Sequence, residues 1–481
     1  MEYAICFIQP NLNEEKMFPN LGIASIISYI RNNTCHNVHL VDLTFHPKEW
    51  KSYLLDKLNK LRPDVVALSL TSSEYFDAIS IADFIKLNFS KMRVLFGGVH
   101  PTLRPNEVLA DNKSVDLVCI GEGEQTVKEY LNNNLNPKEI NGLAYKNKNK
   151  IIINPPRPLI QDLDSLPFPD WSDFEMENYF ANNDFHLPIM ASRGCPYLCT
   201  YCSNHALKKK LNGKYNRCRS VKSVINEINF QKKLYNFKFL FFYDDTLLLY
   251  KEFIVNFCKM YIKNNLHKQI LFNINVRPNL VDEGIVRQLS NAGCFKVRIG
   301  IESGNPFIRN EVFKRNMTNR QIIRAIKILK KYCIQIRGNF IIGAPYDNLK
   351  TINDTYNMIK KVNLDQIHMP ILWVLPETEI EKVLIKEGLT TKEILTKGPK
   401  SITRTKYITE AQLKKIYKKL QLYRYYSYFI ESLKRRHVLF LYDLAIFFLY
   451  YKHKYNVGIS NLTKFTLNKY QHEDAYKLRI N

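Results

Sequence analysis

Three cysteines lie within eight residues in Cys195-Pro196-Tyr197-Leu198-Cys199-Thr200-Tyr201-Cys202, a C-x3-C-x2-C spacing that directly follows an apolar run. Thiolates held in so tight a loop cannot pair off among themselves, and soft ligands of this kind suit an iron–sulfur centre or zinc. Zinc in a structural site takes four ligands, and His205 could supply the fourth. An iron–sulfur cube held by three cysteines leaves one iron open, and an open iron is where chemistry can happen. Three unliganded core cysteines are the bland alternative.

Such a loop needs a rigid frame, and the residues around it supply one. Short β-branched or apolar runs recur at Leu187–Ser192, Phe237–Tyr243, Ile270–Val276, Phe295–Ile301, Ile336–Gly343 and Gln366–Val374. Between them lie helical patterns. Val221, Val224, Ile225 and Ile228 recur at helical spacing behind Ser220, and Thr318 with Gln321 forms a capping box before Ile322, Ile326 and Leu329. Six strand–helix units predict a partial parallel barrel whose active site lies at the carboxyl ends of its strands. Polar residues gather at those ends: Asp244-Asp245-Thr246, Arg277, Glu302-Ser303-Gly304 and Gly343-Ala344-Pro345.

The amino-terminal region alternates in the same way. Tyr3–Gln9, Val38–Leu43, Asp64–Leu70, Arg93–Gly97 and Asp116–Ile120 read as buried strands, with helices such as Leu21–Ile30 and Tyr75–Leu87 between them. That pattern implies a doubly wound parallel sheet, Rossmann-like, with ligands beyond the strand ends. The ends carry Ser69-Leu70-Thr71, Gly97-Gly98-Val99-His100 and Gly121-Glu122-Gly123-Glu124, where paired glycines let backbone approach a ligand. A hairpin around Asn147-Lys148-Asn149 and five prolines between 155 and 169 then predict an extended connector.

Together these residues resemble the radical S-adenosylmethionine (SAM) enzymes. The cysteine motif with Tyr201 before its last cysteine carries the likeness, with Asp244-Asp245, Arg277, Gly300 to Gly304, Gly343-Ala344-Pro345 and Leu375-Pro376-Glu377-Thr378. Gly97 to Pro101, Gly121 to Glu124 and Leu163 to Pro169 are similar to the cobalamin-binding domain and linker that precede the barrel in one large subgroup. The resemblance covers roughly residues 1 to 390. It implies a cobalamin-binding Rossmann-like domain over 1–136, a hairpin and linker over 137–184, a radical SAM partial (βα)6 barrel over 185–390, and a helical region over 391–481.

The resemblance further implies that Cys195, Cys199 and Cys202 hold a 4Fe–4S cluster. Its open iron would chelate SAM, and an electron from it would yield a 5′-deoxyadenosyl radical. Asp244 or Asp245 and Arg277 would meet the methionine or adenosyl portion of SAM. Glu302 and Ser303 would lie near its ribose, and Tyr201 with Gly343, Ala344 and Pro345 near its adenine. Cobalamin would lie between the domains against Ser69, Thr71, Gly97, Gly98, His100, Gly121, Glu122 and Gly123. One departure stands out: Asp42-Leu43-Thr44-Phe45-His46-Pro47 puts threonine where a D-x-H-x-x-G motif would place its cobalt-ligating histidine. No histidine–cobalt bond is expected from that loop. His46 is expected at the surface and His100 to pack near the corrin tail. The expected reaction is methylation of an unactivated carbon of a small-molecule or lipid-like substrate. Radical rearrangement, cyclisation or oxidation with the same cofactors is the alternative, and a zinc-stabilised nucleic-acid-binding protein a more distant one.

Composition fits this reading. The chain has 481 residues, 46% hydrophobic and 24% charged, which excludes a wholly disordered or fibrous polymer and asks for two or three domains. Ten cysteines are too few for a disulfide scaffold, and the first residues lack a secretory pattern, so a cytoplasmic location is expected with thiols free to act as ligands. Cys6, Cys119, Cys294 and Cys333 read as core residues. The net charge is +25, and residues 401–481 carry 16 Lys+Arg against 5 Asp+Glu among many aromatics. That segment is expected to form a helical cap on the open barrel, or else to touch an anionic membrane surface. A reductant such as flavodoxin or ferredoxin is an expected partner; nucleic acid is not.

Overall fold

The computed structural model describes residues 1–12, 18–148, 150–391 and 404–435, with side chains to residue 422. Five strands, β1 (Ala4–Gln9), β2 (Asn37–Asp42), β3 (Val65–Ser69), β4 (Arg93–Gly97) and β5 (Leu117–Cys119), run parallel in the order β2-β1-β3-β4-β5. Alternate residues of each strand feed two separate cores. Ile5, Phe7, Ala67 and Leu95 face one side, while Cys6, Ile8, Val66 and Phe96 face the other. A sheet covered on both faces needs such runs of continuous apolar residues, and the predicted doubly wound architecture is present.

The hairpin expected with the connector, β6 (Leu143–Asn147) and β7 (Lys150–Ile153), instead pairs antiparallel onto β5 and extends the sheet to seven strands. It thereby covers the backbone edge that β5 would otherwise expose. The first sheet thus continues past residue 136.

The second sheet holds β8 (His186–Ile189), β11 (Phe239–Phe242), β12 (Leu271–Val276), β13 (Cys294–Glu302), β14 (Gln335–Phe340) and β15 (Gln366–His368). They run parallel in the order β15-β14-β13-β12-β11-β8, the partial barrel expected. Between β8 and β11, a two-residue antiparallel pair, β9 (Ser192–Arg193) and β10 (Arg217–Cys218), brackets the cysteine loop. β14 and β15 stop short of their apolar runs, continuing only as an isolated bridge between Ile342 and Ile371. Pro370 lies in the second of those runs and lacks the N–H a ladder requires. Cys333 departs from its expected core position. It is exposed, at a left-handed φ of 54° in the turn before β14.

The core on the Phe7 and Leu95 side of the first sheet runs without a break into the barrel core. The helix Glu410–Arg435 packs on β15: Ile408, Leu413 and Leu420 are buried, and the Gln421 amide donates to the Met369 carbonyl at 3.4 Å. As far as its side chains are described, the carboxyl-terminal region therefore caps the open barrel. Residues 392–403 and 436–481, and with them the expected membrane contact, lie outside the described residues. No helix among the described residues is long and apolar enough to cross a membrane.

Candidate active site

The cysteine loop leaves β9 through Gly194, whose φ is 90° and where a Cβ would collide with the Tyr215 carbonyl. Only glycine fits there. Cys195 and Cys199 are buried, Cys202 is half-buried, and all three are free thiols. Burial pushes the Cys202 thiol up to about 12. A thiol so placed gives up its proton readily only to a metal.

Two guanidinium groups converge on the middle cysteine. Arg277 Nη1 and Arg315 Nη1 lie 3.4 and 3.5 Å from Cys199 Sγ. Arg277 also donates to the Arg315 carbonyl at 2.7 Å and stacks 3.5 Å above the Tyr197 ring. Arg315 donates to the Gly300 carbonyl at 2.6 Å and stands 3.6 Å from Glu302 Oε1. His205, the candidate fourth zinc ligand, faces Glu379 at 3.6 Å instead. Among the described residues, no three His, Cys, Asp or Glu side chains are grouped to hold a single metal ion.

The acidic pair divides. Asp244 is buried and accepts from Ala191 N at 3.0 Å and from the Ser192 hydroxyl, anchoring the strand that leads into the cysteine loop. Burial pushes its carboxyl up to about 6. Asp245 faces the cavity described below beside Asn204, whose Oδ1 accepts from the Tyr215 hydroxyl at 2.8 Å. At the end of β13, Glu302 is buried beside Tyr201 at a left-handed φ of 67°, a strained placement typical of working sites. Tyr201 itself packs edge-on against Phe313.

Two other strand ends turn inward on themselves. The Ser303 hydroxyl pairs with Thr355 at 3.2 Å and accepts from Asn305 N at 3.1 Å. Gly343 N and Ala344 N both donate to Asp347 Oδ2 at 2.9 Å, and the Pro345 carbonyl accepts from Lys406 N at 2.9 Å.

A cavity of about 470 Å³ separates the two sheets at their carboxyl ends. Its first wall is Ser69, Gly97, Gly98, Gly121 and Gly123; Leu166 and Pro167 of the connector close one side. The opposite wall is Met190, Arg193, Asn204, Tyr243 and Asp245. A Cβ on Gly98, at φ 94°, would stand 2.5 Å from the Leu70 carbonyl oxygen. Four glycines at its strand ends leave bare backbone that suits the flat face of a corrin, so the residues present fit cobalamin, as the three free thiols and two cations fit an anionic cluster.

Thr71 and His100 do not line this cavity. Thr71 caps the turn Ser72–Glu74, and buried His100 pairs with the Ser72 hydroxyl at 2.9 Å and stacks on Tyr75, its pKa lowered by burial to about 4. His46 lies half-buried between Glu49 and Glu175, at 3.2 and 2.9 Å.

Glu122 also does more than its strand-end position suggests. It accepts from Arg193 at 2.7 Å and from Arg217 at 2.9 Å, while Glu124 accepts from Arg193 at 2.6 Å. Burial opposes the charge on Glu122, yet the two arginines hold its carboxyl below the ordinary carboxylate value. The Gly-Glu-Gly-Glu segment thus lines the cavity with its glycines and clamps β9 and β10 with its acids. Arg193, Arg217, Arg315 and Asn204 were not singled out by sequence; only Arg193, next to Gly194-Cys195, carried a local signal.

Comparison with known proteins bears on this geometry. Residues 189–359 match the model of the Radical SAM superfamily, and residues 14–131 match that of the B12 binding domain. An uncharacterized methyltransferase of Pyrococcus horikoshii is 31% identical over 413 residues, 83% of this chain and 86% of that protein. The anaerobic magnesium-protoporphyrin IX monomethyl ester cyclase of Rubrivivax gelatinosus is 26% identical over 378 residues, 75% of this chain and 66% of the cyclase. Among solved structures, the radical S-adenosylmethionine methyltransferase TsrM of Kitasatospora setae, with cobalamin and a 4Fe–4S cluster bound, matches with a TM-score of 0.68. That match covers 81% of this chain and 76% of TsrM at 15% identity, a likeness of fold.

Proposed function

The chain belongs to the radical SAM superfamily, in the group that carries a B12-binding domain before the barrel, and from that premise we propose that it methylates an unactivated carbon of a small molecule. Its cofactors are a 4Fe–4S cluster, SAM and cobalamin. Bound together, they supply an electron for SAM cleavage and a carrier for the methyl group.

The chain's own residues then divide the work. Cys195, Cys199 and Cys202 would hold the cluster, with Arg277 and Arg315 placing positive charge on the Cys199 sulfur, where it favours the more negative, reduced state. Glu302, held by Tyr201 and Arg315, would accept from ribose hydroxyls at the end of β13. Asp245 would meet polar groups of SAM or substrate at the cavity wall, while Asp244 positions the cysteine loop from behind. The glycine wall at Gly97, Gly98, Gly121 and Gly123 would seat cobalamin, and the connector at Leu166 and Pro167 would exclude water from one side. A one-electron donor such as a flavodoxin or ferredoxin completes the proposal.

The observation that carries this reading is the cavity, which joins the glycine-lined strand ends to the root of the cysteine loop. Anaerobic reconstitution with iron, sulfide and hydroxocobalamin, followed by mass spectrometry of nucleosides released from SAM, tests it. S-adenosylhomocysteine should form in proportion to bound cobalamin, alongside 5′-deoxyadenosine. The similarity to a cyclase favours a second reading, in which both cofactors are present without methyl transfer. Release of 5′-deoxyadenosine with no S-adenosylhomocysteine would replace the first reading with the second.

A further inference from the structure

The three cysteines that would hold the cluster are served unequally by the side chains around them. Cys199 has two guanidinium groups on its sulfur. Thr246 Oγ1 lies 3.8 Å from Cys195 Sγ, but its hydroxyl donates to the Asp245 carbonyl at 2.6 Å and has no second proton for the sulfur. Cys202 meets a neutral amide: Asn204 Nδ2 stands 3.8 Å from its Sγ, within hydrogen-bond reach for a sulfur acceptor.

Asn204 by itself does not fix the aim of that amide. It lies two residues past Cys202 in the first turn of the helix Ser203–Lys210, half-buried on the cavity wall beside Asp245. Its oxygen and nitrogen are nearly alike in size, and turning the amide over would set the oxygen against the sulfur. The Tyr215 hydroxyl, 2.8 Å from Asn204 Oδ1, decides between the two. A metal-bound thiolate only accepts, so the amide must give it an N–H. The amide oxygen then faces Tyr215, and the phenol must donate. Each hydrogen bond is thereby given its direction from the sulfur outward.

Tyr215 is anchored in turn. Its carbonyl accepts from Arg217 Nε at 3.3 Å, and Arg217 is held at 2.9 Å by Glu122 of the first domain. The same carbonyl packs against Gly194 at the entry to the cysteine loop, where a Cβ would stand 2.2 Å from its oxygen. We propose that Tyr215 is a positioning residue for the cluster: its hydroxyl holds the Asn204 amide so that the amide donates to the Cys202 sulfur. A hydrogen bond to a ligating sulfur favours the more negative, reduced state, and outer partners of this kind tune a metal through its ligands. The arginines on Cys199 act by charge, whereas this pair acts by a neutral dipole whose aim depends on one hydroxyl proton. The inference deepens the proposed function and rests on it only for the presence of the cluster.

The test uses the full chain reconstituted with iron, sulfide and hydroxocobalamin. It reads the cluster midpoint by electron paramagnetic resonance titration, together with iron content and melting temperature. Tyr215→Phe keeps the ring and removes the hydroxyl. Its midpoint should become more negative, so that at the wild-type midpoint the ratio of reduced to oxidised cluster falls about threefold or more, with iron content unchanged. Asn204→Ala should shift the midpoint in the same direction and at least as far. In the double variant Tyr215→Phe should add nothing to Asn204→Ala, because the hydroxyl acts only through the amide. A purely structural Tyr215 would lower the melting temperature in both backgrounds and leave the midpoint where it was. The inference is overturned if either single variant keeps the wild-type midpoint, if the two shifts add in the double variant, or if Tyr215→Phe loses iron that Asn204→Ala retains. A chain that forms S-adenosylhomocysteine with a midpoint indifferent to both substitutions loses this inference alone. One whose cluster responds as expected but releases no nucleoside from SAM loses the enzymatic reading and keeps the relay, and a chain that assembles no cluster loses both.

Discussion

The two sets of strand ends that face each other across the cavity are built from opposite materials. The first sheet presents Gly97, Gly98, Gly121 and Gly123, and at these strand ends its wall is bare backbone. The barrel presents Arg193, Asn204 and Asp245, behind which Arg277, Arg315 and Glu302 hold one another in place. A large preformed ring needs room and a smooth backbone surface. A small reactive centre with a changing charge needs fixed dipoles aimed at it. The contrast shows that one cavity can satisfy both demands when each domain supplies only one of them.

The strongest way to break this contrast is Cys199→Ser. Cluster absorbance and SAM cleavage should fall to background while cobalamin stays bound, as read by iron and cobalt content; loss of both would mean that the walls are not separable. Arg193→Ala should come next, because it leaves Glu122 short of one partner and Glu124 nearly buried without its own. A destabilisation of about 3 kcal/mol is expected by thermal unfolding. Gly98→Ala probes the other wall. At φ 94° and against the Leu70 carbonyl it should cost about 2 kcal/mol and reduce cobalamin content, with iron content unchanged.

Finer effects sharpen the barrel side. Arg277→Lys replaces a planar donor at Cys199 and should shift the cluster midpoint to more negative values, on the order of tens of millivolts, in an electron paramagnetic resonance titration. The smallest effect concerns Asp347, whose carboxyl is pushed by burial from an ordinary 3.8 up to about 6. Between those values the folded chain keeps a proton that the unfolded chain has released, so this group's contribution to stability falls as pH rises and its cost is complete above about 6. Asp347→Asn should remove that slope and add about 1 kcal/mol at neutral pH, measured by denaturant unfolding across the window.

Much of this was legible in the residues. Parallel strands announce themselves by continuous apolar runs, and both sheets have such runs in their expected order. The hairpin is legible but its destination is not, since nothing local to Asn147-Lys148-Asn149 says which edge it will cover. The cysteine loop stands out by its spacing, whereas Arg315, 116 residues beyond Cys199, meets it only through the barrel's closure. Glu122 and Glu124 draw notice only through their glycine neighbours, because a carboxylate at a strand end does not reveal that its partners lie in another domain. Thr71 and His100 illustrate the reverse: they stand at the right strand ends but point into a turn cap and a stacked pair.

The grip of Glu122 and Glu124 on Arg193 also bears on how the molecule is made. The guanidinium groups at the root of the cysteine loop find their counter-charges in the half of the chain that leaves the ribosome earlier, and domains tend to fold in that order. A barrel expressed by itself would lack the carboxylates that hold Arg193 and Arg217, and the base of its loop would be unmoored.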